Sequence, residues 1–190
     1  MMTSSRPPVY PGYSAKRMSA SEFFEIYEPA MATWDLGAAS ALRDALANPD
    51  PASRVAIASR LLDDGADATY SGEGGVNLVH ILFHHRAHDI MAEAPLLQRL
   101  LDGGADINQY GRKFGPPLMV LISNTGLREA ALDPFYDVLF SRGDLDFEVR
   151  ADAAKPPRSM RQRIEMAEQR RPGLLHRMRR YDVEGPAPRP

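Results

Sequence analysis

The chain contains no cysteine among its 190 residues. Disulfide frameworks, thiolate metal ligands and cysteine nucleophiles are therefore excluded, and a cytoplasmic location is favoured. The sequence also has no apolar run of the length that a secretion signal or a membrane span requires, and Pro7, Pro8 and Pro11 interrupt its first residues. We therefore expect neither export nor membrane contact.

An excess of positive charge is also missing, because 23 Lys and Arg face 25 Asp and Glu and the net charge is −2. This balance gives no overall electrostatic case for nucleic acid as a partner. Basic residues nevertheless dominate residues 155–180. We call this segment the basic tract, and its arginines are Arg158, Arg161, Arg163, Arg170, Arg171, Arg177, Arg179 and Arg180. A nucleic-acid role for the tract is kept only as an alternative to a solvated, polar end of the fold.

Catalytic signatures are absent from the sequence as well. No nucleophile stands beside a base, and Gly72, Gly74 and Gly75 are not followed by the Lys-Ser/Thr of a phosphate loop. The carboxylates Asp63, Asp64 and Asp67 stand at a helix end, where Asp commonly caps backbone N–H groups. The sequence therefore predicts a protein that is not an enzyme and holds no cofactor.

Four histidines lie close together in the sequence and raise the alternative of a metal site. His80, His84 and His88 are spaced so that they could share one face of a helix, with His85 beside them. No Asp, Glu or Cys is interleaved to complete a ligand set, and Asp89 is the nearest carboxylate. We therefore expect partner contact or solvation for His84 and His85, and no metal.

A repeat of 39 residues organises most of the chain. The string LLDDGAD begins at Leu61, LLDGGAD begins at Leu100, and the weaker LFSRGDLD begins at Leu139. Pro95 and Pro134 are also 39 residues apart. A fixed period of this length is typical of stacked structural units.

Each unit reads as two short helices and a turn. In the second unit, residues 77–85 are almost continuously apolar and residues 95–102 begin with a proline, which suits the first position of a helix. The connections at residues 68–75 and 107–115 are rich in glycine and polar residues. The sequence predicts an all-α stack of helix pairs with protruding hairpin or turn fingers, and left-handed glycines at the helix ends, namely Gly65, Gly104 and Gly143.

The strings at residues 61–67 and 100–108 resemble the end of an ankyrin repeat. His80 matches the histidine of that family's opening signature, and Pro117-Leu118 matches its Pro-Leu pair. The resemblance implies that the His80 ring bridges backbone groups of neighbouring turns. The family period is about 33 residues. The surplus falls between paired helices, at residues 85–94 and 123–133, and either forms a second contact surface or reflects drift.

The predicted boundaries follow from the repeat. We expect disordered tails at residues 1–18 and 185–190 and one domain at 19–184, made of an N-terminal cap with repeat 1 (19–69), repeat 2 (70–108), repeat 3 (109–148) and a C-terminal capping repeat (149–184). A capping helix of about residues 34–47 precedes repeat 2, and Ser19 with Glu22 forms a capping-box pattern at the start of the domain.

The resemblance implies a binding surface made of the finger tips and the first helices. The residues expected on it are Tyr70, Ser71, Glu73, His84, His85, Tyr110, Arg112, Lys113, Phe114, Ser123 and Asn124. Aromatic rings beside arginine are typical of interface hot spots, although Phe114 can equally fold beneath its own hairpin.

The predicted function is therefore protein binding by a monomer, and in particular inhibition of a toxin or hydrolase, as immunity proteins of some bacteria achieve with ankyrin repeats. The alanine-, arginine- and proline-rich composition is typical of high-GC bacteria. The alternatives are an adaptor that recruits its partner without inhibiting it, and a nucleic-acid-associated regulator that uses the basic tract.

Overall fold

The computed structural model describes residues 12–33 and 40–189. In these ranges the chain forms ten α-helices and no β-strand, which confirms the prediction of an all-α fold there. The helices are α1 (Gly12–Arg17), α2 (Ala20–Ile26), α3 (Ala41–Leu46), α4 (Pro51–Asp63), α5 (Leu78–Phe83), α6 (Ile90–Asp102), α7 (Pro117–Ser123), α8 (Asp133–Phe140), α9 (Met160–Met166) and α10 (Pro172–Glu184).

Successive helix pairs lie side by side in chain order. Helix α1 contacts α3, and α3, α5, α7 and α9 each contact the next in that series. Helix α2 likewise contacts α4, and α4, α6, α8 and α10 continue the second layer. The repeated leucines Leu61, Leu100 and Leu139 lie in this second layer and are completely buried. None of the helices described is both long and apolar enough to cross a membrane.

Several helix starts follow the predicted capping chemistry. The Ser19 hydroxyl accepts a hydrogen bond from the Glu22 amide, and the Glu22 carboxylate accepts one from the Ser19 amide, so the capping box is confirmed. Asp50 accepts a hydrogen bond from the Ser53 amide at 2.8 Å ahead of Pro51. Both arrangements satisfy amides that a helix leaves free in its first turn.

The predicted start of α6 at Pro95 is wrong. The helix begins at Ile90, where the Asp89 carboxylate accepts a hydrogen bond from the Ala92 amide, and Pro95 lies inside it. A side-chain cap therefore decides the start, and the proline removes one intrahelical hydrogen bond. The surplus predicted as a loop at residues 85–94 is largely an additional turn of helix, and the connection is shortened to residues 84–89.

Glycines end two of the second helices as predicted. Gly65 and Gly104 have φ values of 90° and 100°, which glycine adopts without strain. The same prediction for Gly143 is wrong, because its φ is not positive. Helix α8 ends earlier, with Ser141 still in a helical conformation, and the chain then turns through the side-chain contact of Arg142 with Asp144.

The predicted tails need correction where the structure describes them. Residues 12–17 form α1 rather than a disordered segment, since Ala15 is buried and the Asn48 side-chain amide donates to the carbonyls of Ala15 and Met18, both at 2.9 Å. At the other end, the Ala187 amide donates to the Phe140 carbonyl at 2.9 Å. The predicted helix at residues 34–47 is helical at Ala41–Leu46, and residues 1–11, 34–39 and 190 lie outside the described residues.

A buried ion pair joins the second helices of the first two units. Arg54 and Glu93 have completely buried side chains, and the Arg54 Nε donates to Glu93 Oε1 at 2.8 Å. The guanidinium also donates to the carbonyls of Asn48 and Ala87, and the second Glu93 oxygen lies 2.5 Å from His88 Nδ1. Both charges are therefore compensated by several hydrogen bonds, which buried ion pairs require.

Candidate partner-binding groove

Three fingers project where a second helix connects to the next first helix. Isolated backbone bridges close them, between Ser71 and Asn77, Gly111 and Gly115, and Arg150 and Ser159. Each finger begins with an aspartate whose carboxylate accepts the amide two residues ahead at 2.8 Å, namely Asp67, Asp106 and Asp146. The same short turn therefore sets the direction of every finger.

Neighbouring fingers are fixed to one another through the backbone. The Arg112 amide donates to the Gly74 carbonyl at 2.7 Å. A β-carbon at Gly115 would lie 2.1 Å from the Ala151 carbonyl oxygen, so only glycine permits this approach. His80 adds a side-chain bridge, because its Nε2 donates to the Gly115 carbonyl at 2.8 Å while the Asn77 amide lies 3.2 Å from its Nδ1. The backbone-bridging role expected for His80 is thus observed.

Two adjoining cavities lie between the fingers and the first helices. The larger has a volume of about 360 Å³ and reaches from Phe83 and His84 to Asn124. The smaller, of about 220 Å³, lies beside Tyr110 and Arg112. Because Lys113, Phe114, Met119 and Ser123 line both cavities, they form one continuous depression, which we call the groove.

The groove has an aromatic rim beside its apolar floor. Phe83, Met119 and Val120 are buried at its base. The Phe114 ring is half-buried, and its centroid lies 5.2 Å from that of His84 and 5.2 Å from Lys113 Nζ. Phe114 therefore borders the groove while it packs on the core, which combines both alternatives weighed for it.

Positive charge dominates the groove. Arg86, Arg112 and Lys113 are exposed and have no carboxylate within 4 Å among the described residues. Arg163 lies 3.8 Å from Asp152, the acidic residue of the smaller cavity. Hydrogen bonds from the Arg158 and Ala154 amides hold the pKa of Asp152 below its ordinary value, and Arg158 also pairs with it at 3.0 Å.

The predicted binding residues divide into two sets. Those that line the groove are His84, Tyr110, Arg112, Lys113, Phe114, Ser123 and Asn124. Tyr70, Ser71 and Glu73 line neither cavity. The Tyr70 ring packs beside Arg43 at 6.0 Å, and the Ser71 hydroxyl accepts a hydrogen bond from the Gln109 side chain.

His85 has a structural contact instead of the predicted outward position. Its Nε2 donates to the Leu46 carbonyl at 2.7 Å, and burial lowers its pKa below the ordinary value. One unit later, the Asn124 side-chain amide donates to the His85 carbonyl at 2.7 Å, and Arg171 donates to the Asn124 carbonyl at 2.6 Å. We call this series the carbonyl ladder. Asn124 therefore contributes to both the groove and the ladder.

Sequence reasoning missed several groove residues. Arg86 and Arg163 contribute positive charge, and Phe83, Met119 and Val120 form the floor. The 39-residue period could have indicated part of this set, because Thr125, which also lines the larger cavity, stands 39 residues after Arg86. Arg163 carries no such signal, since its unit is the most divergent in sequence.

The histidines do not converge on one point. His80 and His88 are engaged with the Gly115 carbonyl and the Glu93 carboxylate, while His84 lies beside the Phe114 ring. Among the described residues, no group of three or more His, Cys, Asp or Glu is arranged to hold a metal ion.

Much of the basic tract is engaged in ion pairs within the chain. Arg161 pairs with Glu148 and Asp182, and Arg177 pairs with Asp133 and Asp137. Further pairs join Arg158 to Asp152, Arg171 to Glu129 and Arg180 to Glu184. These bonds neutralise charge that a nucleic-acid backbone would otherwise attract. Within residues 12–33 and 40–189, Arg179 is exposed and has no such partner.

No protein-family model and no curated protein matches the chain. A similar fold occurs in the crystal structure of a functionally unknown protein from Leptotrichia buccalis. The two chains share 21% sequence identity with a TM-score of 0.71, and the similarity covers 90% of this chain and 91% of that one. The likeness concerns the fold of nearly the whole chain.

Proposed function

We propose that this protein is an ankyrin-type stack of helix pairs that binds another protein through the groove. The observation that carries the proposal is the contrast in the pairing of its cations. Arginines such as Arg99, Arg142 and Arg177 form ion pairs with carboxylates of the preceding unit, whereas Arg86, Arg112 and Lys113 form none among the described residues. Exposed cations beside Tyr110 and Phe114 have the composition of a protein interface.

The fixed fingers support binding without prior ordering. Backbone bonds between neighbouring fingers and the His80 bridge hold the walls of the groove in place. A preformed surface loses little conformational entropy on association, so more of the contact energy contributes to affinity. A cytoplasmic location, which the lack of cysteine favours, belongs to the same proposal.

The test is capture of partners from an extract of the source organism by the tagged protein, with mass spectrometry. Replacing Tyr110 and Arg112 together by Ala is expected to weaken binding of the captured protein by about 2 kcal/mol or more. Arg179→Ala is the matched control, because Arg179 is exposed but lies outside the groove. Thermal unfolding of each variant checks that folding is retained. Equal binding by the double variant and the wild type would refute the groove as the binding surface.

Inhibition of the bound protein, in the manner of an immunity protein, stays a prediction. Co-expression with the captured partner distinguishes it from recruitment. We expect the wild type to suppress the activity of the partner and the groove variant to restore it. A partner that stays fully active in the complex would indicate an adaptor instead.

A further inference from the structure

The groove carries charge of one sign across three successive units. Arg86 follows the first helix of the second unit, Arg112 and Lys113 lie on the finger of the third, and Arg163 lies on the first helix of the last. Asp152 is the acidic residue that lines the smaller cavity, and Arg158 already pairs with it. The chain as a whole is slightly acidic, so this positive surface is local.

The spacing of the cations suits an extended peptide. Packed helices lie about 8–10 Å apart, which sets the step from one unit to the next. An extended chain advances about 3.3 Å per residue, so side chains three residues apart are separated by about one such step. Carboxylates at every third position would therefore meet successive cations.

The larger cavity supplies an apolar contact beside the charges. Its base is formed by Phe83, Met119 and Val120, and the Phe114 ring stands at its edge. Apolar side chains between the carboxylates of a peptide would be buried there, and such burial contributes about 25 cal/mol per Å². Electrostatic attraction would mainly select the partner and orient it.

We propose that the groove binds an extended acidic segment of the partner protein, with carboxylates against Arg86, Lys113 and Arg163 and an apolar side chain in the larger cavity. This inference rests on the proposed function, because it names the chemistry of the partner at the same site. A protein segment is favoured over a nucleic acid because the neighbouring basic tract is largely engaged in ion pairs of its own.

The test uses fluorescein-labelled peptides of about nine residues, measured by fluorescence anisotropy. The first repeats Glu-Leu-Ser, and the other two have Gln or Lys in place of Glu. We expect the Glu peptide to bind most tightly and to weaken as salt is raised. Binding of the Gln peptide with equal affinity, or no binding of the Glu peptide, would overturn the inference.

A pair of charge reversals locates the binding site. Lys113→Glu is expected to weaken the Glu peptide by about tenfold or more, because it places a like charge in the groove. Arg179→Glu makes the same change of charge at an exposed arginine outside the groove and is expected to leave the affinity nearly unchanged. Equal weakening by both variants would mean general attraction and would contradict a specific site.

Two further outcomes separate this inference from related ones. An oligothymidylate that binds more tightly than the Glu peptide and is lost in Lys113→Glu would assign the groove to nucleic acid and overturn the proposal. If the Glu peptide fails to bind while the Tyr110 and Arg112 double variant loses a captured protein, the acidic segment is refuted and the proposed function stands. Failure of both assays refutes both.

Discussion

His80 shows how one side chain connects local and long-range structure. Its Nδ1 faces the Asn77 amide at the start of α5, and its Nε2 donates to the Gly115 carbonyl at the base of the next finger. These bonds require a neutral ring with its proton on Nε2. Burial lowers the pKa of His80 below the ordinary histidine value of 6.5, which favours this neutral form.

The lowered pKa makes stability depend on pH. As the pH falls below the ordinary histidine value, the unfolded chain takes up a proton that folded His80 does not bind until its own lower pKa is reached. The free energy of unfolding is therefore expected to decrease across this range. His85, whose pKa burial also lowers, acts in the same direction.

Denaturant unfolding at about pH 7.5 and about pH 5.5 measures this effect. We expect the wild type to be less stable at the lower pH. His80→Gln removes the titrating group, so the variant is expected to be less stable at both pH values but to lose less stability between them. An unchanged difference would show that His80 does not contribute to the pH dependence.

At the scale of the element, the finger at Gly111–Gly115 is the most constrained connection of the groove. Gly115 has a φ of 72°, and any side chain there would collide with the Ala151 carbonyl. Its own carbonyl accepts hydrogen bonds from the Gly111 amide and His80. The finger, the next finger and α5 therefore meet at this residue.

Gly115→Ala is expected to lower the free energy of unfolding by about 1–3 kcal/mol, because it combines backbone strain with a steric collision. Gly143→Ala is the control, since its φ is not positive and no atom lies within 4 Å of the added methyl group. Denaturant unfolding compares the two variants. An equal effect on stability would contradict the close approach of the fingers.

Helix ends show what sequence could and could not predict. Ser19 and Asp50 were recognised as caps because their partners stand three residues ahead. Pro95 was wrongly placed at a helix start, because the competing cap at Asp89 and the need to bring Glu93 to Arg54 involve long-range packing. Periodicity fixes which segments are helical more firmly than where they begin.

On the scale of the whole molecule, the repeat predicted the order of the helix pairs and most residues of the groove. It did not predict the ion pairs between units, such as Arg99 with Asp63 and Arg142 with Asp102, because either side chain could equally face solvent. It also assigned His85 to the surface. The ring is directed inward by a carbonyl 39 residues earlier, which no local pattern indicates.

Stacking of the units is tested at Leu100. This residue is completely buried in α6, between α4 and α8. Leu100→Ala is expected to lower the free energy of unfolding by about 2–5 kcal/mol through lost burial and the cavity left behind. Met91→Ala on the same helix is the control, because Met91 is 74% exposed. Denaturant unfolding that shows a loss below about 1 kcal/mol for Leu100→Ala would contradict the packing.

The carbonyl ladder makes the molecule modular. Each rung needs one donor from the later unit and one carbonyl from the earlier unit, and His85 and Asn124 both receive and give at the same position. A further copy of residues 70–108 spliced after residue 108 would bring its own imidazole to the existing carbonyl and offer a fresh carbonyl to Asn124. The length of the binding surface can thus change by whole steps while each junction keeps its bonding.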